Sequence, residues 1–426
     1  MESFHMKLSI KNIGKIESAD INLDGITVIC GENNTGKSTI GKVLFAYFNS
    51  MCDFESKIKK QRMTEIESWI CLHGKTGLSQ PSLLYFRDQL ISFISSFKGN
   101  ITIKDIYLFV RNYTEIEDKM DFSESIYFLL TTSNEDLLCE YILRYFTIIF
   151  NDQIRNEKIS SRQQGIIKTI LRNGTNTINF LKYRCKFTQE VSIIHRAYYI
   201  TNPFVLDYLN SDLRYVKSVL GELERNVIDT INSAQLEQSI DKMADIFDAV
   251  ANKDKLEEIR KLLSRAYTGR TVRKNGMYFY NDGKTDIDFR NLSTGLKSFA
   301  LIERLLESGK LKSKDVLILD EPEIHLHPEW QLIYAELIVL LQKTFDLTIL
   351  LVTHSFHFLE SLKFFIDKYD ISERGNFYTP QKSDYGFIIT ETNDALYDSM
   401  KSLSDPSFKL ADMKFELEME QDNETN

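Results

Sequence analysis

Hydrophobic and polar residues alternate at the start of the chain. MKLSIKNI carries apolar side chains at every second position, and IESADINL repeats the pattern after Gly14-Lys15. A period of two predicts strands with one buried face. GITVIC is an unbroken apolar run, as in a strand buried on both faces. After a Gly-rich turn, Ile40, Val43, Leu44 and Tyr47 recur at helical spacing and predict a helix from about Gly36 to Tyr47.

The pattern changes over residues 50–190. Phe, Tyr, Ile and Leu recur with the helical period, while Gly and Pro are scarce. This predicts a mostly helical insertion, with a small hairpin at Asn173-Gly174, a dipeptide suited to a type I′ turn. SIIHRAYYI (192–200) reads as a buried strand stopped by Asn202-Pro203. Residues 204–267 read as charged amphipathic helix. TVRKNGMYFYNDGKTDIDF is a hairpin pattern with turns at Asn275-Gly276 and Asp282-Gly283.

The last part is α/β. A helix from about Thr294 leads to strand DVLILD, a helix follows Pro328, strand LTILLVT comes next, and a helix follows His354. Two short strands and a helix complete it. The division expected is a first head segment (1–50), the insertion (51–190), a second head segment (191–411) and an acidic tail (412–426) expected to be disordered.

Composition limits the function classes. The chain has 426 residues, 43% hydrophobic and 27% charged, an ordinary globular balance. No apolar run is long enough for a membrane span, and the N-terminus shows no secretory signal, so the expected location is the cytoplasm. The five cysteines never form a CxxC pair, so buried free thiols are expected rather than disulfides or zinc. The net charge of −9 argues against indiscriminate nucleic-acid binding. Residues 151–190 run against it, with Arg155, Lys158, Arg162, Lys168, Arg172, Lys182, Arg184 and Lys186 facing only Asp152, Glu157 and Glu190. That stretch is either a solvated surface or a docking face for phosphate or a partner.

Candidate chemistry begins at GENNTGKST, which matches GxxxxGK[ST] between a strand and a helix. Gly31, Glu32, Asn33, Asn34, Thr35, Gly36, Lys37, Ser38 and Thr39 would form a loop whose backbone N–H groups curl around phosphate oxygens. Lys37 would reach the outer phosphates, and the Ser38 hydroxyl would ligate Mg²⁺. VLILDEPE delivers Asp320 and Glu321 to the end of a buried strand. Asp320 would hold Mg²⁺ through water, and Glu321 would polarise the attacking water.

Three further features stand nearby. Ser293, Thr294 and Gly295 open a helix and offer a hydroxyl, free N–H groups and the helix dipole to phosphate. His354 ends a buried strand, either as a core histidine or facing the γ-phosphate. His325 and His327 alternate with Leu326, but no third ligand at useful spacing suggests metal.

Taken together, the phosphate loop, a distant LSTG, DEP and a lone His after the next strand resemble the ABC-type ATPase superfamily. LSTGLKSFALIERLL, DEPEIHLHPEWQ and VTHS resemble the OLD-like and SMC-like branch of AAA ATPases, many of which belong to bacterial anti-phage defence systems. The motifs lie in the head at both ends of the chain and say little about residues 50–190. The resemblance implies an α/β ABC-type ATPase head, a mixed sheet with flanking helices, interrupted by the helical insertion. It also implies ATP and Mg²⁺ as cofactors, Glu321 as catalytic glutamate and His354 as switch histidine. Ser293, Thr294 and Gly295 would complete the site of a second subunit, so that ATP is sandwiched in a homodimer, with higher oligomers open. Thr294 stands where the family signature has the first of two glycines. No Q-loop glutamine is evident; its place by chain order falls at Asn202, which could sense water or Mg²⁺.

The stretch after His354 is short for the TOPRIM domain of OLD nucleases, and the insertion lacks the heptads of SMC arms. The first functional reading is therefore an ATPase that controls a separately encoded effector, a nuclease or toxin. The second is a DNA-repair ATPase that clamps DNA directly through residues 151–190. The third, a transporter subunit, is disfavoured by the bulky insertion and by DEPEIHLHP.

Overall fold

In a computed structural model of the chain, the residues described are 6–73, 80–96, 101–111, 118–160, 162–172, 174–237, 257–392 and 413. The expected acidic tail and final helix lie outside them, apart from Met413. The chain divides into two compact units, residues 1–52 with 143–426, and Asp53–Ile142.

The larger unit is built on one sheet. Its strands are β1 (Lys7–Ile13), β2 (Ile16–Asn22), β3 (Ile26–Cys30), β4 (Gly165–Leu171), β5 (Gly174–Phe180), β6 (Cys185–Thr188) and β7 (Ala197–Ile200). A separate small sheet holds β8 (Arg270–Lys274), β9 (Met277–Asn281) and β10 (Asp286–Ile287). Then come β11 (Val316–Asp320), β12 (Thr348–Thr353), β13 (Gly375–Lys382) and β14 (Phe387–Glu391). The main sheet runs β6-β5-β4-β1-β2-β14-β13-β3-β12-β11-β7.

The two halves of that sheet differ. From β13 through β3, β12 and β11 to β7 every pairing is parallel. The wing from β2 through β1, β4 and β5 to β6 is antiparallel throughout. Sequence composition explains the split. β3, β7 and β12 are buried at every position, as parallel strands covered on both faces must be. β1 and β4 alternate buried and exposed positions, as strands with one wet face do.

Helices cover both faces of the parallel half. Leu317, Leu319, Ile349 and Leu351 join one core cluster with residues from helices Thr294–Glu307, Pro328–Phe345 and Phe356–Lys368. Within it Phe299 packs edge-on against Trp330 and Tyr334, at 5.7 and 5.3 Å between ring centroids. The alternate positions face helix Lys37–Met51. There a Cβ built on Gly41 would stand 3.0 Å from Ile318 and 2.9 Å from Tyr199.

The smaller unit is helical. Helices Phe54–His73, Gln80–Ser96, Ile103–Val110 and Lys119–Thr131 bury Ile66, Phe86, Leu90, Ile106, Val110, Phe122 and Ile126. Thr102 and Asp105 form a capping box at Ile103. The Arg62 guanidinium donates to the carbonyls of Leu129 and Leu130 at 2.7 and 2.8 Å, satisfying the end of the last of these helices.

Several expectations are corrected. Residues 165–188, expected inside the insertion, are β4–β6 of the main sheet, and the compact helical unit ends at Ile142. The Asn173-Gly174 dipeptide predicts a hairpin; the pairing of its first strand with β1, some 160 residues earlier, is a long-range contact that no local pattern encodes. Asn173, at that hairpin's turn, lies outside the described residues. SIIHRAYYI is strand only over Ala197–Ile200. Residues 203–237 break into a 3₁₀ helix, Pro203–Tyr208, and helices Leu213–Val219 and Glu222–Glu237. The turn at Asn275-Gly276 is as expected, with φ positive at both residues (51° and 82°) as a type I′ turn requires. Among the described residues no helix is long and apolar enough to cross a membrane.

Leu351, in β12, is fully buried within this core cluster. Leu351→Ala is expected to lower the stability of the head by about 2–5 kcal/mol. Denaturant melts of the two proteins would check it, and a loss below about 1 kcal/mol would mean that the covering helices collapse into the gap.

Candidate functional site

The parallel strands carry their C-terminal ends to one edge, and the candidate residues follow those ends. β3 stops at Cys30, and the chain turns into helix Lys37–Met51 through Gly36, whose φ of 88° suits glycine. A Cβ on Gly36 would also lie 2.7 Å from Ile16 Cδ1. No side chain caps this helix, so its first N–H groups point outward with the positive end of the dipole.

Lys37 is 4% exposed, and its ammonium donates to the carbonyls of Gly31 at 2.8 Å and Glu32 at 2.6 Å. Thr35 Oγ1 donates to the same Glu32 carbonyl at 2.8 Å. Glu32, Asn33 and Asn34 form the exposed rim of the loop, and Lys15 of the β1–β2 turn bonds the Asn34 side chain. Thr39 N donates to Gly36 O at 3.0 Å, closing the first turn.

β11 and β12 supply the acids and the histidine. Ser38 Oγ donates to Asp320 Oδ1 at 3.1 Å, so these two expected metal-binding groups meet. Glu321 has φ of 52°, a left-handed conformation that non-glycine residues rarely adopt. Its backbone N–H bonds Val352 O at 2.8 Å, which holds the turn against β12. His354 Nδ1 lies 3.1 Å from Glu321 Oε1. Both side chains are partly exposed, so they face an accessible edge.

Two residues that sequence reading passed over complete the cluster. Tyr199, on β7, donates its hydroxyl to Asp320 Oδ2 at 2.7 Å, so both carboxylate oxygens of Asp320 are held. Its only sequence signal was a tyrosine in a buried strand. Glu323 is 3% exposed and accepts from Thr353 Oγ1 at 2.5 Å; that hydroxyl accepts in turn from Ser355 N at 3.0 Å. This chain of bonds fixes the turn that carries His354.

Burial sets the electrostatics. It lowers the Lys37 pKa, an effect opposed by the negative charges of Glu321 and Asp320. It raises those of Asp320 and Glu323, partly offset at Asp320 by the Tyr199 and Ser38 hydroxyls. The Cys30 thiol is pushed up to about 11, chiefly by burial, and stays neutral.

Other expected residues stand apart. Ser293 is exposed at the start of helix Thr294–Glu307 and accepts from Leu296 N at 3.4 Å. It makes no hydrogen bond to its own phosphate loop among the described residues. Gly295 is packed so closely that a Cβ would lie 2.9 Å from Trp330 and 3.1 Å from the His325 carbonyl. Asn202 does follow β7, the neighbour of β11, but its side-chain oxygen caps the 3₁₀ helix by accepting from Phe204 N at 2.8 Å. His327 caps helix Pro328–Phe345, and His325 packs edge-on to Phe204, which explains both histidines structurally.

Known proteins similar to this chain share its overall span. The chain is similar to the Septu protein PtuA of Bacillus thuringiensis, 23% identical over 432 residues that cover 98% of this chain and 90% of that protein. Among solved structures it resembles the SMC head domain from Thermotoga maritima, with 11% identity, coverage of 91% and 98%, and a TM-score of 0.40. It also resembles an Smc head domain with an extended coiled coil, bound to the C-terminal domain of ScpA, from Pyrococcus furiosus; there identity is 12%, coverage 95% and 99%, and the TM-score 0.42. The family model for the AAA ATPase domain matches residues 6–359, which contain every site residue above. The chain belongs to the AAA ATPase domain family.

Proposed function

We propose that this chain binds ATP with Mg²⁺ at the end of β3 and hydrolyses it, and that the hydrolysis controls a separately encoded effector. The observation that carries the reading is the meeting of Ser38 with Asp320, beside Glu321 and His354, at one sheet edge. Backbone N–H groups of residues 31–38 hold the phosphate oxygens, and the Lys37 ammonium exchanges its carbonyl partners for the β- and γ-phosphates.

The donor set fits magnesium. Ser38 and Asp320 offer hard oxygens close together, and Tyr199 fixes the orientation of the carboxylate. When bound, the cation neutralises charge on the β- and γ-phosphates. Glu321 orients a water for in-line attack on the γ-phosphorus and takes its proton. The bond from the γ-phosphorus to the bridging oxygen breaks, and ADP leaves with that oxygen. His354 stands beside Glu321 on one side and reaches the γ-phosphate on the other.

Two heads pair around ATP. Ser293 supports this, because its side chain is exposed at the start of helix Thr294–Glu307 and makes no hydrogen bond to residues 31–38 among the described residues. Thr294 and Gly295 shape that end for close approach to a second copy's γ-phosphate. The effector role rests on the resemblance to the OLD-like and SMC-like branch and on the similarity to a Septu protein. The setting is bacterial anti-phage defence in the cytoplasm.

Three outcomes follow. Glu321→Gln should keep ATP binding, slow phosphate release by about 100-fold or more and accumulate an ATP-bound dimer in native mass spectrometry. Turnover at the wild-type rate would remove Glu321 from the role of base. Lys37→Ala should abolish nucleotide binding in calorimetry, and retained micromolar affinity would contradict the loop assignment. Tyr199→Phe should raise the Mg²⁺ concentration needed for half-maximal turnover by about 10-fold or more while leaving nucleotide affinity nearly unchanged.

A further inference from the structure

The antiparallel wing has one face packed and one face open. Leu8, Ile10, Ile167 and Ile178 point inward and are buried. The Phe180 ring packs, tilted, against Phe146 of helix Asn134–Phe150, 4.9 Å between ring centroids. The opposite face is defined by strand register. Lys7 pairs with Ile170, Ser9 with Lys168 and Lys11 with Ile166 across β1 and β4. Lys168 pairs with Thr177 and Ile166 with Asn179 across β4 and β5, and Asn179 pairs with Lys186 on β6.

Side chains alternate across a strand, so Lys7, Lys11, Lys168 and Lys186 share this open face. All four are exposed. None has a hydrogen bond or ion pair among the described residues. Some lysines elsewhere are paired, as Lys314 is with Asp346 and Lys363 with Asp367. The carboxylate in these rows is Asp20, which accepts from the Ser9 hydroxyl and leaves a net positive face of four lysines against one acid. Hydroxyl and amide donors of Thr177, Asn179 and Thr188 stand between the lysines.

We propose that this face binds the phosphate backbone of a nucleic-acid duplex. The unneutralised charge is notable in a chain of net charge −9. Strand spacing and rise make the lysine field about 13 Å along the strands and about 14 Å across them. That is the length of about four phosphates on one strand of a duplex. Interspersed hydroxyl and amide donors suit phosphate oxygens, and Ile166 and Ile170 offer apolar contact to sugar carbons. The contacts are to backbone, so binding is independent of sequence. Of the eight basic residues in 151–190, only Lys168 and Lys186 take part on the strands; Lys7 and Lys11 come from the start of the chain.

The test is salt-dependent binding of the full-length protein to labelled duplex DNA, to duplex RNA of the same sequence and to poly-glutamate. The wild type should bind a duplex with a steep salt dependence, and the DNA and RNA arms tell which backbone is preferred. Changing Lys7, Lys11, Lys168 and Lys186 together to Gln should weaken binding at least tenfold and lower the log–log salt slope by about 3 to 4. A control with Lys217, Lys261 and Lys284 changed to Gln should leave both nearly unchanged. No duplex binding by the wild type, equal losses in the two variants, or equal affinity for poly-glutamate would each overturn the proposal. None of these lysines lies in the phosphate loop or its acidic partners, so basal phosphate release, measured alongside, reports separately on the ATPase reading.

Discussion

A strand buried on both faces can place a charged group only at its end. That constraint organises the head. β3, β7, β11 and β12 are apolar along their length and parallel, so their C-terminal ends fall on one edge of the sheet. Lys37, Asp320, Glu321 and His354 gather there because the chain has nowhere else to put polar side chains at the ends of these strands. The edge is also where helix Lys37–Met51 begins, so the positive end of a dipole meets the carboxylates.

Placing charges at a partly buried edge is costly unless each is compensated. The site answers with bonds from neighbouring strands. Asp320 is held by a hydroxyl from the helix after β3 and another from β7. Lys37 is held by two loop carbonyls. Glu323, buried further in, is held by Thr353 of β12. Each compensating group comes from a different segment, so the site is rigid only when the sheet is assembled. Burial still leaves Lys37 and Asp320 less inclined to carry charge than in water. Both therefore favour a partner of opposite sign, which phosphate and a divalent cation supply.

The two halves of the sheet divide the labour by the same rule. The parallel half spends both faces on helices and works at its edge. The antiparallel wing covers one face only, and its other face remains available along the whole strand length. Alternation thus gives the wing a surface, while continuous burial gives the parallel half a site. The two share β2, β14 and β13 as the connection between them.

The sequence by itself determined the polar edge of the sheet. GENNTGKST, DEPE and the lone His354 lie within short windows whose local pattern names both the strand and the turn, so the phosphate loop and the acids were legible. The Asn275-Gly276 turn was legible for the same reason, since its conformation is set by two adjacent residues. Only the tertiary structure decided the rest. Tyr199 and Glu323 gained their roles from neighbours more than a hundred residues away or across a turn. Asn202 caps the 3₁₀ helix Pro203–Tyr208, a contact that chain order alone does not show. Residues 165–188 left the insertion and joined the sheet because β4 pairs with β1. That pairing brought Lys7 and Lys11 beside Lys168 and Lys186. Local periodicity reports which face of a strand is wet, but register between distant strands is fixed only when the chain closes on itself.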